Sequence, residues 1–157
     1  MKATNPWYSA KSVHLEVAPH ICAGFDISFD LEIPEEVKAE LRRFVEWVES
    51  NFNMPITLWV DFEYKHYLLS REKKRVGYLF YWSDFSSYPV FDQEDDVPVI
   101  RLPVRTEHFT MEEVLTSFIE AITCYFIWLT NPLGPGDHDM PNEDDVEDIL
   151  NEYLKTH

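Results

Sequence analysis

From Val114 to Leu129 the chain runs Val-Leu-Thr-Ser-Phe-Ile-Glu-Ala-Ile-Thr-Cys-Tyr-Phe-Ile-Trp-Leu, sixteen residues with a single charge, Glu120. The stretch falls short of the roughly 20 residues that cross a bilayer and carries several polar groups, so no transmembrane segment is expected. It predicts a long buried helix instead. Thr110 as N-cap, with Glu113 three residues on, has the pattern of a capping box and places the helix start near Met111. Asn131-Pro-Leu-Gly-Pro-Gly136 ends it. Glu120 then needs an explanation, because an ionised carboxylate in apolar surroundings is costly unless it is paired, protonated or bound to a metal.

The remaining segments supply something for that helix to pack on. Val13–Val17 and Gly24–Ile33 alternate apolar and polar residues in places, as extended segments do. Pro34-Glu-Glu opens a helix with Pro in the first turn and acids near the positive end of its dipole. In it Val37, Leu41, Phe44, Val45 and Val48 recur at spacings of three and four, with Lys38, Glu40, Arg42, Arg43 and Glu49 opposite. Pro55–Phe62 and Arg75–Trp82 read as strands rich in branched and aromatic residues. The basic segment Ser70–Arg75 between them reads as a solvated turn, and Asp84–Asp96 as a long polar loop. Val97–Val104 is extended, and its prolines at 98 and 103 favour a sheet edge. The last segment, Glu143–Lys155, is a short helix that turns Val146, Ile149, Leu150, Tyr153 and Leu154 inward.

This order predicts an α+β fold: one amphipathic helix, a small mixed sheet with an edge strand, a long buried helix and a short C-terminal helix. Residues 1–157 are expected to form one domain, with 1–11 a loosely ordered arm and 131–142 a Pro/Gly and acidic loop. With 45% hydrophobic and 15% aromatic content, the chain has the material for a core. The five Trp and eight Tyr are assigned mostly to it. The formal charge of -16 opposes binding to nucleic acid or to an anionic membrane. A basic protein partner is compatible with it, and simple solubility explains a negative charge equally well. No secretory pattern is read at Met1–Tyr8, and Cys22 and Cys124 are too few for a disulfide framework, so a cytoplasmic location is expected.

The order of a helix, a small sheet with an edge strand and a long helix resembles the minimal zinc metallopeptidase, or zincin, domain. In that family the long helix carries His-Glu-x-x-His, often followed by an aromatic stretch. Tyr125-Phe-Ile-Trp-Leu129 is similar to that stretch. Aligned on it, Glu120 and Cys124 stand where the histidines would be and Ala121 where the glutamate would be. Shifted by one residue, Glu120 becomes the glutamate, and Ile119 and Thr123 occupy the histidine positions. The resemblance thus implies a scaffold that has lost ordinary zinc hydrolysis, which needs imidazoles to hold the ion and a glutamate to take a proton from its water.

Glu120 and Cys124, four apart on one helical face, are the candidate site, since carboxylate and thiolate can both ligate a divalent metal. A third ligand would come from Asp137–Glu152 or from a histidine. Otherwise Glu120 pairs with an Arg or Tyr, or sits at a domain surface, and Cys124 packs as a small hydrophobe. The acids of Asp137–Asp145 lack the spacing and glycine of an EF-hand loop, and His14, His20, His66, His108, His138 and His157 are scattered. No catalytic residue and no cofactor is assigned. The leading expectation is a non-catalytic binding module on a degenerate zincin-like scaffold, holding a protein or peptide on an acidic face or beside the Val97–Val104 edge. The alternatives are a metal-dependent hydrolase with atypical ligands and a small acidic inhibitor or immunity-type protein that masks a basic partner.

Overall fold

A computed structural model describes residues 5–9, 23–64, 69–70, 75–76, 79–84, 96–104, 110–130 and 142–156. The expected strand Val13–Val17, all six histidines, and most of the basic turn, the polar loop and the 131–142 loop lie outside these residues. The described elements are α1 (Pro6–Ser9), β1 (Phe25–Phe29), α2 (Glu35–Asn51), β2 (Leu58–Glu63), β3 (Leu69–Ser70), β4 (Arg75–Val76), β5 (Leu79–Asp84), β6 (Asp96–Pro103), α3 (Met111–Thr130) and α4 (Glu143–Thr156). The fold is α+β.

Gly24, in the left-handed region at φ 73°, turns the chain into β1 and accepts a hydrogen bond from Leu58 N–H at 3.0 Å. β1 and β2 run parallel, so the chain must cross from one end of the sheet to the other between them, and α2 makes that crossing. The four-stranded sheet has the order β1-β2-β6-β5, in which β6 is parallel to β2 and β5 antiparallel to β6. β3 and β4 form a separate two-stranded antiparallel ladder.

Val97–Val104 therefore does not form the edge. β6 lies between β2 and β5, and the prolines are accommodated by where each ladder stops. Pro98 sits opposite Trp82 on the β5 side, one residue before pairing with β2 begins at Val99. Pro103 sits opposite Glu63 on the β2 side, two residues beyond the last β5 pair at Arg101. Each imide nitrogen stands at a position paired on one side only, which is where a strand tolerates proline.

Alternation along β2 and β6 separates two faces of the sheet. Leu58, Val60 and Phe62 of β2 and Ile100 and Leu102 of β6 are buried in one cluster with the apolar faces of α2, α3 and α4. Phe118 of α3 ties the layers together, with its ring 5.2 Å from Phe62 and 5.5 Å from Phe44. Tyr153 brings α4 against α2, edge-on to Phe44 at 4.9 Å and Trp47 at 5.3 Å. The predicted inner face of α2 is buried throughout, joined by Trp47. In α4 the prediction holds for Val146, Ile149, Leu150 and Tyr153, but Leu154 is exposed. Four residues beyond Leu150, Leu154 is rotated about 40° further round the helix, away from Val146, Ile149 and Tyr153, and so lies past the edge of the apolar stripe.

Residues 5–9 also depart from the expected loose arm. Trp7 is fully buried and belongs to the core cluster.

Candidate functional site

The N-terminus of α3 forms as its capping box predicts. Thr110 N–H donates to Glu113 Oε1 at 3.0 Å, and Glu113 N–H donates to Thr110 Oγ1 at 3.1 Å. From there the helix buries Val114, Leu115, Phe118, Ile119, Ala121, Ile122, Tyr125 and Phe126 together with the polar Ser117 and Thr123. Glu113, Thr116, Glu120, Cys124 and Ile127 are half-buried and follow one another at three or four residues, so they form a stripe along the flank of the helix. Glu120 thus stands at the border of the core rather than inside it. That location removes most of the desolvation cost its sequence context suggested.

Glu120 and Cys124 share this flank, as their spacing requires. Cys124 is half-buried. Among the described residues no group of three or more His, Cys, Asp and Glu side chains comes together to hold an ion. The positions of the alternative register are placed differently. Ile119, Ala121 and Thr123 are all fully buried. Thr123 donates its hydroxyl to Ile119 O at 2.7 Å and accepts the indole N–H of Trp7, also at 2.7 Å.

Three constellations escape a reading of the sequence alone. In the first, Trp7 packs edge-on against Phe52 at 4.9 Å and tilted against Phe126 at 4.9 Å, with its indole N–H on Thr123. Asn5 holds the approach: its Oδ1 accepts Trp7 N–H at 3.0 Å and its Nδ2 donates to Asp145 O at 3.2 Å. The local signal was present in Asn5-Pro6-Trp7. Asn bonding to the backbone two residues on, followed by Pro at the first helical position, is a helix start.

In the second, Glu63 and Arg101 meet in a two-point ion pair across β2 and β6, with Nε to Oε1 at 2.5 Å and Nη2 to Oε2 at 3.1 Å. The Glu63 side chain is 8% exposed and that of Arg101 34%. Both project from the face opposite the helices, in line with Asp61, which stands opposite Arg101 and accepts a hydrogen bond from Ser28 Oγ at 2.7 Å. Sequence separation of 38 residues hides such a pair until the register is known. In the third, Tyr125 donates its hydroxyl to Ile56 O and accepts Ile56 N–H at 3.3 Å, fastening α3 to the turn before β2.

At the sheet's end, β5 is hydrogen-bonded to β6 and, among the described residues, to no other strand. It presents Leu79-Phe-Tyr-Trp-Ser-Asp84, a strand of six residues in the only antiparallel orientation of the four-stranded sheet. No helix among the described residues is long and apolar enough to cross a membrane. Comparison with known proteins finds no matching family model, no matching curated relative and no matching solved structure.

Proposed function

We propose that this chain is a non-catalytic, cytoplasmic module that binds an extended peptide segment of a protein partner along β5, on a scaffold similar to a zincin that has lost its zinc ligands. The observation that carries the reading is the position of β5: an antiparallel strand at the end of the sheet, next to the strand that leads into α3. Such an edge offers backbone donors and acceptors to an added strand. Ile119 and Thr123, the histidine positions of the second register, are fully buried, which is in keeping with a non-catalytic role in that register.

Peptides selected from a random display library against the intact protein test the proposal. Bound peptide is expected to slow amide hydrogen exchange in Leu79–Asp84 and to leave α4 unchanged. Protection confined to α4 would move the site to the acidic face, and failure to select any peptide would remove the proposal. Metal content of the purified chain separates this reading from the hydrolase alternative. Near-stoichiometric zinc that is released by Cys124→Ser would replace it.

A further inference from the structure

β1 ends the four-stranded sheet on the side away from β5. It pairs with β2 and, among the described residues, with no other strand. Gly24 O accepts Leu58 N–H at 3.0 Å, and Asp30 N–H donates to Phe62 O at 3.0 Å. In a parallel ladder one residue in two is bonded to a given neighbour, so the even-numbered residues from 24 to 30 face β2, and Phe25, Ile27 and Phe29 turn their N–H and C=O groups outward. An open row of this kind is a template for another strand, and folded proteins block it with charged side chains, bulges or prolines. At β1 the blocking group is Glu49. Its Oε2 accepts Phe25 N–H at 3.1 Å, so the last turn of α2 fills the first outward donor of the strand.

The helix that carries Glu49 gives no reason for an acid there. A helix C-terminus is the negative end of the dipole and favours cations, yet the last turn of α2 has no basic residue and does have this carboxylate. Half-buried, it reaches to a strand whose sequence matches itself. Turned end to end about Ile27, Phe25-Asp-Ile-Ser-Phe29 sets Phe25 opposite Phe29, Asp26 opposite Ser28 and Ile27 opposite Ile27. Aromatic and branched pairs of this kind stabilise antiparallel strands. In that pairing Phe25 N–H would donate to Phe29 C=O of the second strand. With Glu49 in place the incoming carbonyl meets a carboxylate oxygen instead, and two-fold symmetry repeats the conflict at the other end. We propose that Glu49 is an edge-closing residue, whose bond to Phe25 N–H keeps β1 from pairing with β1 of a second copy.

Hydrogen exchange and sedimentation test this, and neither depends on the peptide site proposed at β5. In the wild-type chain the Phe25 amide should exchange slowly, as should Asp26 and Ser28, which face β2, while Ile27 and Phe29 exchange at least about tenfold faster. Equal protection along the whole strand overturns the proposal, because something other than Glu49 then closes the edge. Glu49→Ala is expected to dimerise at least about tenfold more tightly than the wild type in sedimentation equilibrium, in roughly 0.5 M salt to screen the negative charge. Exchange at Ile27 and Phe29 should slow as that dimer forms. If Glu49→Ala does not fold, Glu49→Met is used, which keeps the length of the side chain without its acceptor. A folded variant that stays monomeric, or one whose new protection lies in β5, overturns the proposal. So does a wild-type chain that already pairs through β1.

Discussion

At the scale of single residues, the Glu63–Arg101 pair has an uneven balance. Glu63 is nearly removed from water and its charge is met by two hydrogen bonds from one guanidinium, while Arg101 keeps about a third of its side chain exposed. Arg101→Met would remove the guanidinium that meets the Glu63 carboxylate, at a cost of about 3 kcal/mol in urea unfolding, whereas the double variant with Glu63→Gln should recover a substantial part of that loss. Equal destabilisation in the single and double variants would mean that packing, not charge, explains the effect. Glu120 carries the opposite lesson. In the sequence it is the conspicuous charge, because one-dimensional context records that its neighbours are apolar but not which way each one points. Its place on the half-buried flank of α3 follows from the phase of the helix against the sheet. Glu63, flanked by Phe62 and Tyr64 at the end of a strand, gives no comparable warning.

At the scale of elements, the helices were legible because their signals are local. The capping box at Thr110 and Glu113 fixes the first turn of α3, and Thr110→Ala should lower stability by about 1 kcal/mol. Thermal unfolding would show the shift, and an unchanged midpoint would mean that packing of Phe118 and its neighbours alone sets where α3 begins. The start of α2, its buried face and four of the five inward residues of α4 likewise follow from caps and from a 3.6-residue period. Strand order was not legible. Pro98 and Pro103 were read as marks of an edge, but a proline excludes only one hydrogen bond, and the offset between the β2 and β5 ladders supplies a vacancy for each. Arg75–Trp82 likewise divides into β4 and β5, which pair with different partners. Trp7 was missed because four residues at a terminus carry no periodicity, and its partners lie more than a hundred positions away or in other elements.

At the scale of the whole molecule, helices cover one face of a largely parallel sheet, and the opposite face carries Ser28, Asp61, Glu63 and Arg101. On that face hydrogen bonds and an ion pair join the polar side chains, Ser28 to Asp61 and Glu63 to Arg101. The helix layer has its own pH response through Tyr153. Burial, reinforced by the nearby Glu40 carboxylate and opposed by the Arg43 guanidinium, raises the phenol above its ordinary value of 10.0. The folded state therefore holds that proton more tightly than the unfolded chain does. The stability this contributes is fully present below about pH 10 and is lost as pH rises through the higher folded value. Circular dichroism during alkaline titration should show stability falling above that point, and Tyr153→Phe should remove this phase; parallel curves for the two proteins would place its origin elsewhere.

The contact between Asn5 and Asp145 also makes the Trp7 indole a reporter on a distant helix. The two bonded residues are 140 positions apart, so the order of residues 5–9 draws on the start of α4 as well as on Thr123 of α3. A change that loosens the first turn of α4 is therefore felt at a tryptophan far from it in sequence.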